Sequence, residues 1–125
     1  MEITAAYMSD HTALISALYT AVDEMNAQGV VDQVTEDVRF QLGNFEPITG
    51  RDAVKEANAT FFKTISAMSH TITDVWSSDD TAICDGTVHY TRKDKSEHEV
   101  PFAAHLVLRD GKVADYKVFV DISGL

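Results

Sequence analysis

Asp121 lies among Val118, Phe119, Val120 and Ile122. A carboxyl held in apolar surroundings has its charged form disfavoured, which moves its pKa toward the range of acid–base chemistry near neutral pH. An exposed strand end, or a cap on the turn at Ser123-Gly124, is the alternative for the same residue. His70 alternates with Ile72 and Trp76, while Thr71, Thr73 and Val75 fall on the other face of the strand. This places His70 inward, where an imidazole beside a carboxylate can shuttle protons. A core histidine bonded to a backbone carbonyl is the competing reading. Further along, Cys84, Gly86, Val88 and Tyr90 share one face, and Asp85, Thr87, His89 and Thr91 the other. Alternation therefore puts Tyr90 inside and His89 outside, unless a β-bulge reverses it locally. Asp121, His70, Tyr90 and His89 are the catalytic candidates.

An apolar set surrounds them. Phe40, Leu42, Phe45, Trp76, Leu106 and Tyr116 would line a pocket with few polar points, as small-molecule sites do. Filling the core is the commoner fate of such residues. Tyr19 and Met25 could close one side. His105 alternates out of the apolar set Phe102, Ala104, Leu106 and Leu108, so it faces outward. No ligand spacing suggests a metal, and no glycine-rich loop suggests a phosphate or dinucleotide. Cys84 reads as an inert core thiol. No cofactor is expected.

Size and charge narrow the partners. The chain has 125 residues, read as one domain over 1–125, with 45% hydrophobic residues. Its 20 acidic residues against 10 basic ones give a net charge of −10, which disfavours nucleic acid and anionic membrane surfaces. A single cysteine and an N-terminus without a basic, apolar leader point to the cytoplasm. No apolar stretch approaches the ~18 residues of a membrane span.

The positioning elements follow from periodicity. Ser9 and Asp10 are good N-caps and Gly29 a good stop. Between them Leu14, Ile15, Leu18, Val22 and Met25 predict a helix over 10–28. A short helix over 30–35 follows. Val38, Phe40 and Leu42 alternate as a strand. Thr49 and Asp52 resemble a capping box ahead of a helix over 51–67. Four strands come next, over 69–78, 81–92, 97–109 and 112–122. Hairpin turns separate them, the clearest being Asp110-Gly111. Helices gather first and strands last, which is an α+β order with an antiparallel meander.

This order, with Pro-x-x-Gly-Arg-Asp-Ala-Val over 47–54, His70-x-Ile72 leading to Trp76, and Asp-Gly-Lys-Val over 110–113 leading to Tyr116 and Asp121, resembles the nuclear transport factor 2-like superfamily. SnoaL-type polyketide cyclases, ketosteroid isomerase, scytalone dehydratase and limonene epoxide hydrolase belong to it. The resemblance implies a cone-shaped, curved antiparallel sheet wrapped around three N-terminal helices, the cystatin-like α+β barrel. It also implies a homodimer and a small hydrophobic ligand. The isomerase's catalytic positions fall on Leu42-Gly43, Ala104 and Ala21, so that mechanism is lost. The hydrolase's water-holding and Arg–Asp positions are likewise not matched. Asp121 corresponds to the terminal Asp of the cyclases and of the hydrolase. His70 and His89 correspond to the two histidines of the dehydratase. The implied activity is proton transfer on a hydrophobic cyclic substrate, by cyclisation, isomerisation or dehydration. A non-catalytic ligand-binding protein of the same fold is the alternative.

Overall fold

The computed structural model describes residues 1–3 and 11–125. The expected N-caps Ser9 and Asp10 lie outside the described residues. Three helices, α1 (Thr12–Asp23), α2 (Ala27–Val31) and α3 (Arg51–Phe62), pack on one face of a seven-stranded sheet. Its strands are β1 (Glu2–Ile3), β2 (Val34–Leu42), β3 (Ile48–Thr49), β4 (Ile65–Ser77), β5 (Thr81–Arg92), β6 (Glu97–Arg109) and β7 (Lys112–Val120). The order across the sheet is β1-β4-β5-β6-β7-β2-β3. The curved sheet wraps the helices in the expected cone without closing. β4 to β7 form the expected antiparallel meander. The whole sheet is mixed, because β1 runs parallel to β4 and β2 parallel to β7.

The apolar stripe of α1 buries Ile15, Leu18, Tyr19 and Val22 at helical spacing. The helix stops well short of residue 28. Met25 takes a left-handed conformation (φ 54°), and the Asn26 side chain then accepts from the Gly29 amide to cap α2. Gly29 is thus inside α2 and not a stop. A Cβ there would sit 2.9 Å from the Ala21 Cβ, so glycine lets α2 fold back against α1. Gly50, in a left-handed conformation, precedes α3 in place of the expected capping box, and Thr49 belongs to β3. The third helix ends at Phe62, so Ile65 and Met68 are the first inward residues of β4.

At Asp110-Gly111 both residues have positive φ, the combination that a type I′ hairpin needs. On β6, Phe102, Ala104, Leu106 and Leu108 point to the helices as expected, and His105 does not. The narrow end of the cone is filled by Ala82, Cys84, Ala104, Leu106 and Val113. The wide end is not filled.

Candidate functional site

A cavity of about 890 Å³ opens between α3 and the concave face of the sheet. Its wall is mostly apolar. Phe40 and Leu42 of β2, Phe45 of the following loop, Tyr90 of β5 and Tyr116 of β7 all line it as expected. Leu106 does not. It is fully buried opposite Ala82 and Tyr116 in the filled end of the cone. Trp76 does not either. The β4–β5 register slips by one residue between Ile72 and Asp74, so parity reverses. His70 and Ile72 point inward before the slip, Val75 and Ser77 after it, and Trp76 is turned to the outer face, 43% exposed. Across the slip, a Cβ on Gly86 would lie 1.9 Å from the Thr71 carbonyl oxygen, so only glycine fits the bulge.

His70 lies at the cavity wall, 5% exposed. Its Nδ1 is 2.6 Å from Oδ1 of Asp23, and its backbone amide donates to Oδ2 of the same carboxylate at 2.9 Å. The Met1 amino group stands 3.2 Å from that Oδ2. Asp23 therefore grips both the ring and the main chain of His70. This fixes the ring orientation and assigns the Nδ1 proton to the contact, leaving Nε2 for exchange. The ring is also packed by Tyr19 at 4.7 Å and Phe102 at 4.8 Å between centroids.

Tyr19 and Val22, and not Ala21, are the described α1 residues that line the cavity. The Tyr19 hydroxyl accepts from Tyr116 at 2.9 Å, which leaves its own hydrogen for another acceptor. Burial pushes the phenols of Tyr19 and Tyr116 above their ordinary range. Burial, assisted by the charge of Asp23, pushes Tyr90 up to about 12. All three remain protonated donors at neutral pH. Burial likewise holds the Cys84 thiol at about 12, which keeps it unreactive, as the sequence suggested.

Asp121 and His89 are not brought into this cavity. Tyr116, Val118 and Val120 face inward, so residue 121 falls on the other side. There the exposed Asp121 accepts from the Ser123 amide at 2.9 Å and borders a surface depression beside Gly43 and Asn44. Hydrogen bonds from the Ser123 side chain and backbone hold its carboxyl below the ordinary value, opposite to what a base near neutral pH needs. Its partner is thus Ser123, while the carboxylate partner of His70 is Asp23. The β5–β6 register runs unbroken through residue 89. His89 consequently faces out, 3.0 Å from Glu97 and 3.7 Å from Glu99.

Asp23 was missed in the sequence, although a signal was present. It stands four residues after Tyr19 and eight after Ile15, on the buried stripe of α1. A carboxylate on an apolar helix face needs a partner, and His70 is that partner. Among the described residues no cluster of His, Cys, Asp and Glu could hold a metal ion. No described helix is long and apolar enough to cross a membrane.

A family model, that of the SnoaL-like domain, matches residues 15–116, which carry most of this cone and its cavity. The chain belongs to the SnoaL-like domain family. No curated protein matches this SnoaL-like domain in sequence. Solved structures share its fold. One is a protein with a ketosteroid isomerase-like fold from Catenulispora acidiphila in complex with trimethylamine, with a TM-score of 0.81, 18% identity and coverage of 88% of this chain and 86% of that one. TerC crystallised with polyporic acid has a TM-score of 0.79 and 18% identity, covering 91% and 93%. A protein from Jannaschia sp. CCS1 described as a SnoaL-like polyketide cyclase has a TM-score of 0.79 and 14% identity, covering 91% and 87%. At these identities the likeness shows the fold alone.

Proposed function

We propose that this SnoaL-like domain is an acid–base enzyme that moves protons on a small, apolar, ring-containing molecule without a cofactor. The observation that carries the reading is the 2.6 Å contact between Asp23 and His70 at the wall of an apolar cavity. His70 takes a proton from carbon through Nε2, and the Asp23 carboxylate stabilises the imidazolium that forms. The electron pair moves to the substrate oxygen, toward the Tyr19 hydroxyl oriented by Tyr116, with Tyr90 as a second donor. Return of the proton at another carbon completes an isomerisation. Delivery to a departing hydroxyl completes a dehydration. Small-molecule occupancy is supported by two relatives of the same fold, one holding trimethylamine and one crystallised with polyporic acid.

The test is deuterium uptake by a cyclic ketone such as tetralone in heavy water, followed by proton NMR. The wild-type protein accelerates exchange beside the carbonyl, and His70→Gln abolishes the acceleration. Equal exchange with both proteins overturns His70 as the base. Binding of the ketone without exchange favours a non-catalytic binding protein.

The outer sheet face supports a homodimer. Trp76 lies opposite Ile83 in register, Ile83 opposite His105, and Ala103 opposite Phe119. Trp76, Ile83 and Phe119 are large apolar side chains left exposed at 43%, 41% and 59%. Ile83→Lys should convert a dimer to a monomer in sedimentation analysis. A wild-type monomer at micromolar concentration contradicts the dimer. The reduced, buried Cys84 suits a cytoplasmic protein.

A further inference from the structure

The phenols that act as donors, Tyr19 and Tyr90, come from α1 and β5, and the base His70 comes from β4. α3 and its flanking loops carry the carboxylates of the cavity. Glu46 and Glu56 line the cavity and are exposed, which places both at its rim. Neither has an ion-pair partner among the described residues. The Asn58 amide gives one N–H to the Val54 carbonyl and keeps its second N–H and its oxygen, and Thr60 adds a hydroxyl, so the neutral groups of this wall can both donate and accept. Thr64 gives its hydroxyl hydrogen to the Phe61 carbonyl and also retains acceptor capacity. Among the described residues no lysine or arginine lines the cavity. Phe45, the neighbour of Glu46 in the chain, also lines the cavity and is exposed, and Phe61 meets Tyr90 edge-to-face at 6.2 Å.

The unpaired rim carboxylates and the lack of a lysine or arginine among the described lining residues act in the same direction. They select for a ligand that brings positive charge to the entrance. We infer that the cavity takes small hydrophobic amines, held with the ammonium group at the Glu46–Glu56 rim and the apolar ring toward His70, and that it rejects carboxylates of the same shape. Two rim charges with no compensating cation repel an anion along its entry path and attract an ammonium, and aromatic faces add to that attraction. The inference rests on the cavity being a ligand site, as proposed above, and adds the chemical class that enters it.

Three probes of matched size separate the two ideas: naphthylethylammonium, naphthylethanol and naphthylacetate, titrated by calorimetry near neutral pH. The neutral alcohol reports on the cavity. The two ions report on the rim. The expected order is ammonium, then alcohol, then carboxylate, with about tenfold or more between the two ions. In the double variant Glu46→Gln, Glu56→Gln, the alcohol should bind as before and the preference for ammonium over carboxylate should fall to about threefold or less. Both residues are exposed, so circular dichroism should find the variant folded. Added salt should shrink the preference in the wild-type protein and leave alcohol binding unchanged. Alcohol binding without discrimination between the ions overturns the amine inference and leaves the cavity reading standing. A preference that survives in the double variant overturns the role of the rim. Failure of all three probes to bind overturns the cavity reading and this inference with it.

Discussion

Both oxygens of the Asp23 carboxylate are engaged by His70, one by the ring Nδ1 at 2.6 Å and the other by the backbone amide at 2.9 Å. The two residues lie 47 positions apart, on the last turn of α1 and the middle of β4. One side chain therefore joins the helix layer to the sheet and sets the orientation of the imidazole in the cavity wall.

Removing that carboxylate should be costly. Asp23→Ala leaves the His70 amide and ring without their acceptor in a nearly dry site, at about 2–4 kcal/mol. Asp23→Asn keeps an acceptor and should cost less. Urea denaturation with a fixed slope checks both values. A loss below about 0.5 kcal/mol for the alanine variant would mean that the pair is solvated in solution.

Gly86→Ala is expected to be among the most damaging single-methyl additions. The new Cβ would meet the Thr71 carbonyl oxygen at 1.9 Å, and backbone cannot rotate away as a side chain does. The bulge must shift, at a cost of about 3 kcal/mol or more. Gly111→Ala makes no such contact and meets only its left-handed backbone, so about 1 kcal/mol is expected. Thermal unfolding of the two variants gives the ranking, and equal losses would contradict it.

The buried tyrosines make the fold labile to alkali. Tyr19, Tyr90 and Tyr116 hold their protons in the folded state above the ordinary value of 10.0. Between that value and about 12 the unfolded chain carries fewer protons than the folded one, so stability falls as pH rises. Below the ordinary value both states are protonated and these groups contribute no pH dependence. Stability measured from neutral to strongly alkaline pH should be flat with respect to these groups and then decline. The tyrosinate absorbance of Tyr19, Tyr90 and Tyr116 should rise with unfolding and not before it.

Asp121→Asn should leave tetralone exchange and the fold as they are. Its carboxyl serves the Ser123 turn outside the cavity. A large loss of exchange in this variant would return Asp121 to the mechanism.

The meander and the Asp110-Gly111 turn were legible because each is written in local pattern, whereas the cone followed from the resemblance of the whole element order to a known superfamily. Strand alternation correctly placed His70 and Tyr90 inside and His105 outside. It failed for Trp76 because a bulge needs knowledge of the partner strand, and its trace in the sequence is the single Gly86. For Asp121 the same alternation was informative: it directly follows β7, whose apolar end residues Phe119 and Val120 precede it, and the cavity-facing residues Val118 and Val120 do not share its face. Asp23 and His70 meet only through tertiary packing, so no spacing rule pairs them. What α1 does show is a carboxylate on its buried stripe.

The most direct test of the site is the ring-nitrogen NMR spectrum of the histidines as naphthylethanol is added. The protein has five histidines, of which His70 alone lines the cavity among those at described positions. The Nε2 resonance of His70 should move with saturation, its Nδ1 should keep the signature of a proton shared with Asp23, and His89 and His105 should stay fixed. A silent His70 alongside shifts at His89, or at the Asp121 turn beside His98, would contradict the assignment of the cavity as the functional site.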